Sequence, residues 1–289
     1  MLEHEDSAYY SLVEHSTSHI ETEHLVKFGM NLGYNSCTWG AQRIRRNEQR
    51  LGFNIPWTVL FQMDDLQCLD HLFEYDSAIT EGEQLGIYTW GLLSRTDPMA
   101  LLPLIEHHPD SAFFLFCRPE DVTSALLDEI IPIKHLMLVV RWEDGTDEVC
   151  AMLRDAHLPY SVYVPYDQND LQSITSGELF ADTQQLYPLF TILTAKPDCP
   201  TKVQDLVYQA VVKARNGQSY QTIPWELYHD IRSLDEIISD DACCVLFDGH
   251  GQLIALDHPD CMPFGSLFED GITPLIRQAY PKSVPIVSR

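Results

Sequence analysis

Two kinds of hydrophobic pattern alternate through the middle of the chain. Short apolar runs of β-type residues predict strands. Between these runs, apolar residues recur at intervals of three and four, which predicts helices. Strands joined by helices of this length form parallel sheets with helical crossovers, so the pattern predicts either an α/β barrel or an open doubly wound sheet. The predicted strands are residues 55–62, 85–90, 112–117, 135–141, 160–164 and 187–194, and the predicted helices between them are 98–107, 122–130 and 146–157.

The segments on either side of this strand-helix alternation have other hydrophobic patterns. Residues 1–52 include a polar, helix-like segment at 7–24. After residue 195 the chain carries an amphipathic helix at 202–216 and a hairpin at 244–256, whose turn contains Asp248 and Gly249. The predicted organisation is therefore an N-terminal region at 1–52, the strand-helix domain at 53–195 and a smaller C-terminal module at 196–289.

The charge balance restricts the class of partner. The chain of 289 residues carries 18 basic and 43 acidic side chains, a formal net charge of −25. Such a surface repels phosphate backbones and anionic lipid heads, which argues against nucleic acid and membrane partners. No apolar run approaches the roughly 20 residues of a membrane-spanning helix. The acidic start of the sequence is unlike a signal peptide, so we expect a cytoplasmic protein.

Eight cysteines are dispersed through the chain without the spacing of a small disulfide scaffold, so we expect reduced thiols. Cys117 and Cys150 lie inside apolar patterns, which predicts buried side chains. Four others, late in the sequence, could hold a structural zinc ion or a single iron–sulfur cluster in the C-terminal module, although they lack paired C-x2-C knuckles. These four are Cys199, Cys243, Cys244 and Cys261.

Several segments occur in an order that is known from one protein family. An apolar strand at 55–62 is followed by Cys68, and the late Asp248-Gly249 hairpin is followed by Cys261 and by the run Gly265-Ser266-Leu267 before a helix. Over residues 55–280 this order resembles radical SAM proteins with a SPASM-type C-terminal module. The resemblance implies a partial (β/α) barrel of the TIM type, followed by a small α+β SPASM-like module.

The resemblance also identifies positions where the family's cofactor motifs are degenerate. In that family the first strand leads into C-x3-C-x2-C, whose thiolates bind a [4Fe-4S] cluster that holds S-adenosylmethionine. Here Cys68 matches the first ligand, but Leu72 and Tyr75 stand at the other two places. The family's second strand ends in a G-G-E-P loop. The matching run here keeps Gly91 and has Leu92 near the place of the glutamate.

These losses imply a pseudoenzyme rather than an active radical SAM enzyme. The family resemblance suggests a noncatalytic partner or peptide-binding subunit in the maturation of a ribosomally synthesised peptide. The expected partners are a peptide substrate and a second protein, such as an active radical SAM enzyme. A partial barrel offers a sheet edge and a mouth that can accept an extended peptide by strand addition.

An alternative function is a metal-dependent (β/α)-barrel hydrolase or isomerase that uses histidines and carboxylates from the ends of strands. No signature such as H-E-x-x-H is present, and a surface or helix-terminal place is the simpler interpretation of these residues. The candidate ligands are Asp64, Asp65, His71, Glu74, His107, His108 and His135.

Overall fold

The computed structural model describes residues 6–63, 66–239, 241–256 and 263–282. The predicted ligands Asp64, Asp65 and Cys261 lie outside these residues. The described strands are β1 Thr58–Met63, β2 Thr89–Ser94, β3 Ala112–Cys117, β4 Leu136–Arg141, β5 Tyr160–Tyr166, β6 Phe190–Ala195, β7 Ile223–Glu226, β8 Val245–Phe247 and β9 Leu253–Ala255.

Helices occupy most of the segments between these strands. A π-helix at Met30–Gly40 precedes β1. The described α-helices are α1 Tyr9–His19, α2 Thr22–Gly29, α3 Ala41–Leu51, α4 Leu72–Leu85, α5 Leu102–Glu106, α6 Ser124–Ile130, α7 Thr146–Asp155, α8 Leu171–Ser176, α9 Glu178–Thr183, α10 Thr201–Asn216, α11 Leu227–Ile238, α12 Leu267–Asp270 and α13 Ile272–Ala279. In the described residues no helix is long and apolar enough to cross a lipid bilayer.

The chain divides into two compact units. The first unit comprises Met1–Lys27 and Phe116–Asp230, and the second comprises Phe28–Leu115 and Ile231–Arg289. The predicted organisation into 1–52, 53–195 and 196–289 concerns the order of segments along the sequence and stays a prediction.

In the second unit, β1 pairs in parallel with β2 on one side and with β8 on the other. Thr58 is opposite Thr89, and Val59 is opposite Val245. The short β9 runs antiparallel to β8, which confirms the hairpin predicted at 244–256. Five of the six residues of β1 are buried, as expected for a parallel strand that is covered on both faces. Helix α4 approaches β2 closely, because a Cβ at Gly82 would lie 2.4 Å from Trp90 Cη2.

In the first unit, β4, β5, β6 and β7 pair in parallel in chain order. Helix α10, which matches the helix predicted at 202–216, packs against them through Val203, Val207 and Val211. These valines recur every four residues and therefore form one apolar stripe along the helix. The stripe joins Tyr166 and Phe180 in the hydrophobic core of the unit.

The strand order settles the choice between the two predicted α/β architectures. The order is β7-β6-β5-β4-β3-β2-β1-β8-β9, so the first seven strands follow one another without the reversal that an open doubly wound sheet requires. This mostly parallel arrangement confirms the partial (β/α) barrel and excludes the doubly wound sheet.

One predicted strand was displaced along the sequence. The prediction of residues 85–90 matched an apolar run, whereas β2 begins only at Thr89. Leu85 is the last residue of α4, and Gly86 ends that helix with φ +116°. Leu85 and Ile87 are nevertheless buried. A short apolar run cannot distinguish a buried helix end from a strand, which explains the error.

Candidate functional site

The family resemblance puts a cofactor at the carboxyl ends of β1 and β2 in the second unit. Cys68 lies in the 3-10 helix Leu66–His71 that follows β1. Its side chain is completely buried, and the thiol donates a hydrogen bond of 3.3 Å to the carbonyl oxygen of Gly249 in the β8–β9 turn. The Cys68 thiol is therefore held inside the protein by the hairpin.

The other two positions of the degenerate motif lie on α4. Leu72 is its first residue and is half-buried, whereas Tyr75 is completely buried. Burial, together with the adjacent Cys68 thiol, raises the pKa of Tyr75, so its hydroxyl stays protonated. Neither side chain offers a thiolate for a cluster.

Aromatic side chains fill the space around Tyr75. We call this group the aromatic cluster. The Phe61 ring stacks on Trp90 at 5.6 Å and meets Tyr75 edge-on at 5.0 Å. Phe61 also contacts Phe247 at 5.6 Å, and Tyr75 meets Phe268 edge-on at 5.5 Å. Such offset and edge-on pairs contribute about 0.5–1.5 kcal/mol each beyond the area that they bury.

The predicted loop positions Gly91 and Leu92 are placed differently from the expectation. Both are buried inside β2, where Gly91 is opposite Leu60 and Leu92 is opposite Phe61. The loop expected there instead begins after Ser94, whose hydroxyl donates to Thr96 O at 2.9 Å. This difference follows from the displaced strand, because the predicted strand ends at residue 90, four residues before the end of β2 at Ser94.

The described cysteines are all free thiols. Cys117 and Cys150 are completely buried, which confirms their prediction. Burial raises the pKa of Cys199 in the first unit. Cys243 and Cys244 in the second unit are both buried just before β8. A metal site formed by these three with Cys261 stays a prediction.

The predicted histidine and carboxylate ligands are distributed over several elements. His71 Nδ1 lies 3.4 Å from Glu74 Oε1 at the start of α4. His135 is buried immediately before β4. Of the described residues, one group of three brings metal-ligating atoms within 4.8 Å of one another, namely Asp76, His107 and His108. Asp76 was absent from the sequence-based candidates, because nothing in the sequence relates it to two histidines 31 and 32 residues away.

Sequence reasoning also missed a buried polar network at the carboxyl end of β7 in the first unit. Glu226 is completely inaccessible to solvent. Its carboxylate accepts hydrogen bonds from the Tyr166 hydroxyl at 2.9 Å and from the His229 backbone N–H at 2.8 Å. The ring nitrogen His229 Nδ1 lies 2.7 Å from the same carboxylate. The spacing Glu-x-x-His at a strand end is the signal that could have identified this pair.

Neighbouring groups orient the same network. The Tyr208 ring stacks on His229 at 4.7 Å. Asp230 accepts a bidentate pair of hydrogen bonds from Arg215, at 2.9 and 2.8 Å, and one from the Glu226 backbone N–H at 2.9 Å. Burial alone would lower the pKa of His229, but the carboxylates of Glu226 and Asp205 outweigh it and raise the pKa. This arrangement can hold a proton on His229 beside a buried carboxylate.

We expect this histidine to make the stability of the protein depend on pH. Its pKa is higher in the folded than in the unfolded chain, so its contribution is complete below the ordinary histidine pKa of 6.5 and is lost as the pH rises through the folded value. The measurement is the free energy of unfolding of the wild type and of His229→Gln from about pH 5.5 to about pH 8.5. The wild type should lose more stability over this range, and equal losses in the two proteins would contradict the prediction.

Comparisons with known proteins show a likeness in fold. The chain is similar to the crystal structure of Streptococcus suis SuiB bound to S-adenosylmethionine, with 9% sequence identity, a TM-score of 0.57 and coverage of 81% of this chain and 66% of SuiB. A second crystal structure of SuiB gives 9% identity, a TM-score of 0.56 and coverage of 82% and 70%. The chain thus spans about two thirds of SuiB. At this identity the likeness shows the fold alone.

A third solved structure, 3-dehydroquinate dehydratase from Geobacillus kaustophilus HTA426, has 10% identity, covers 63% of this chain and 91% of its own, and has a TM-score of 0.37, which is too low to support an argument. No protein-family model matches the chain. No curated protein matches it either.

Proposed function

We propose that this chain is a noncatalytic partner in the maturation of a ribosomally synthesised peptide, working with an active radical SAM enzyme. The observation that carries the proposal is the aromatic cluster, together with the buried Cys68, at the place where the resemblance expects three cluster-binding thiolates. The fold likeness to SuiB, a protein crystallised with S-adenosylmethionine, supports a scaffold of this type.

The residues at this place do not fit a [4Fe-4S] cluster. A cluster of this kind needs thiolate ligands, and the motif positions supply one thiol, at Cys68. That thiol is buried and hydrogen-bonded to Gly249 O. Leu72 has no ligand atom, and Tyr75 offers no thiolate: burial raises the pKa of its hydroxyl, and its ring packs in the interior against Phe61. No catalytic step through a cluster follows from these residues.

The charge of the chain supports binding of a peptide, whereas backbone groups on the outer sides of the two edge strands are already hydrogen-bonded within the chain, so strand addition there is not part of the proposal. On β9, the Leu253 N–H donates to Gly265 O at 3.1 Å. On β7, Pro224 O accepts from Arg215 at 3.3 Å and the Glu226 N–H donates to Asp230 at 2.9 Å. The formal charge of −25 favours a peptide with basic residues and makes its association dependent on salt.

The cofactor part of the proposal is tested by purification and reconstitution under anaerobic conditions. We expect fewer than one iron atom per chain after incubation with iron and sulfide, and no measurable binding of S-adenosylmethionine, because the thiolate set is incomplete. An active radical SAM enzyme treated in parallel is the control. Four iron atoms per chain together with affinity for S-adenosylmethionine would overturn the noncatalytic role.

The partner role requires a separate experiment. The chain is co-expressed with a cysteine-complete radical SAM enzyme and its precursor peptide from the same source, and the products are separated by size-exclusion chromatography. The proposal expects a complex of fixed stoichiometry that forms with the precursor and not with a peptide of scrambled sequence. A chain that remains monomeric and has no affinity for enzyme or peptide would contradict it.

The alternative of a metal-dependent hydrolase or isomerase receives less support. In characterised (β/α)-barrel enzymes such chemistry uses side chains at the carboxyl ends of strands. Among the described residues, the group that brings three metal-ligating atoms together belongs to α4 and to the turn after α5. This position favours a role outside catalysis.

A further inference from the structure

We propose that Asp76, His107 and His108 form a zinc(II) site in the second unit, independent of the peptide-maturation role. Asp76 lies in the second turn of α4. His107 directly follows the end of α5, and its backbone N–H donates to Pro103 O at 3.2 Å. The His108 N–H donates to Ile105 O at 3.1 Å. This hydrogen-bonded turn fixes two consecutive histidines against one face of α4.

The distances between the three ligand atoms suit a small metal ion. His108 Nε2 lies 3.3 Å from Asp76 Oδ1, and His107 Nδ1 lies 2.5 Å from the same oxygen. Tetrahedral zinc with ligands at about 2.0–2.1 Å separates neighbouring ligand atoms by about 3.4 Å. His108 and Asp76 already have this separation. His107 has to move by about 1 Å, which its side chain, 72% exposed, is free to do.

Burial of His108 gives an independent indication of a ligand. The residue is only 3% exposed, yet its Nε2 atom makes no hydrogen bond with a described residue, because Asp76 Oδ1, 3.3 Å away, is not aligned with it. Buried polar atoms in proteins are normally satisfied, and an orphaned one calls for an explanation. The atom lies beside the Asp76 carboxylate, which is partly open to solvent. A metal ion between them would supply the missing partner.

The opposite side of the His108 ring resembles the surroundings of known metal ligands. His108 Nδ1 lies 3.5 Å from Glu83 Oε1, and the Ser111 hydroxyl donates to the same oxygen at 2.7 Å. Histidines that bind metals usually present their second ring nitrogen to a carboxylate, which fixes the tautomer and raises the basicity of the ligand. Asp76 and Glu83 are seven residues apart, so they lie on the same face of α4 and hold the ring from two sides.

The ligand set selects the metal. Two imidazoles and one carboxylate suit zinc, whereas magnesium and calcium prefer sets made of oxygen atoms. The exposed side of His107 and Asp76 leaves a fourth position for water. Zinc bound here would join α4 to the end of α5 and stabilise the folded chain, because the unfolded chain does not preserve this arrangement.

Zinc binding to the metal-free full-length chain tests the proposal by calorimetry. We expect one zinc ion per chain at this site, with affinity at least about 10-fold lower in Asp76→Ala and His107→Ala, and about 10- to 100-fold lower in Glu83→Gln. His107 is exposed, so its substitution leaves the fold intact even if a change at buried His108 does not. The control is His19→Ala, which removes an exposed histidine from α1 and should leave the affinity unchanged.

Cobalt(II) distinguishes this site from the cysteines. Cobalt bound by the proposed ligands should show visible d–d absorption without thiolate-to-metal charge transfer, and zinc should raise the midpoint of thermal unfolding of the wild type but not of Asp76→Ala. A cobalt spectrum dominated by charge transfer and unchanged in Asp76→Ala, an unchanged affinity in both Asp76→Ala and His107→Ala, or no zinc binding by the wild type would overturn the proposal. None of these results depends on iron, S-adenosylmethionine or a peptide.

Discussion

Substitution of Glu226 by alanine should lower the free energy of unfolding by about 3–5 kcal/mol, because it removes one partner of a buried, hydrogen-bonded ionic network. The carboxylate has no exposure to solvent. Its loss leaves the Tyr166 hydroxyl, 2.9 Å away, without an acceptor, and it leaves His229 without the carboxylate 2.7 Å from Nδ1. Denaturant unfolding of the wild type and the variant measures the difference.

Two further substitutions separate the buried network from an ordinary ion pair. Glu226→Gln keeps an acceptor oxygen for Tyr166 and should cost less, about 1–3 kcal/mol. Glu236→Ala changes the same residue type on α11, the helix that follows β7, where the carboxylate is 54% exposed and pairs with Arg232 at 3.2 Å. We expect a change within about 1 kcal/mol there. If Glu226→Ala costs no more than Glu236→Ala, the network does not stabilise the fold.

Substitution of Trp90 by alanine should also destabilise the chain by about 3–5 kcal/mol, because it leaves a cavity within the aromatic cluster. Trp90 is completely buried. Its ring stacks on Phe61, and its indole N–H donates to the Ser111 hydroxyl at 3.3 Å. The control is Trp39→Ala, since Trp39 is 43% exposed. Equal unfolding free energies for the two variants would contradict the prediction.

Gly82 makes this second prediction sharper. In the wild type, Gly82→Ala would place a Cβ 2.4 Å from Trp90 Cη2 and should destabilise the chain. In the Trp90→Ala background that conflict disappears, and alanine is favoured over glycine in a helix by about 1 kcal/mol. The double variant should therefore be clearly more stable than the sum of the single effects indicates. Additive effects would show that α4 and β2 do not meet as described.

The hydrophobic pattern predicted the local elements of the fold well where burial repeats regularly. The predicted strand 112–117 coincides with β3, and the predicted helix 202–216 differs from α10 by one residue. The hairpin at 244–256 was predicted from its turn and two apolar runs. The displaced strand at 85–90 shows what a short apolar run does not distinguish, because buried residues at a helix end and in a strand have the same composition.

The candidate site was less accessible to such reasoning. The degenerate motif positions Cys68 and Tyr75 were identified from the order of segments, and the structure places both in the interior after β1. The sequence does not show that Tyr75 packs against the rings of Phe61 from β1 and Phe268 from α12. Gly91 and Leu92 were predicted to follow the second strand, whereas they lie inside it, because the predicted strand starts and ends four residues before β2.

Residue type and local spacing are enough to establish the alternation of strands and helices, the strongly acidic charge and the incomplete cluster motif. The folded chain was needed to show the sequential strand order, the contact of Tyr166 with Glu226 across 60 residues, and the approach of Asp76 to His107 and His108. Periodicity records whether a residue is buried, but it does not record which distant residue is buried against it. Those contacts arise when strand pairing and helix packing bring distant parts of the chain together.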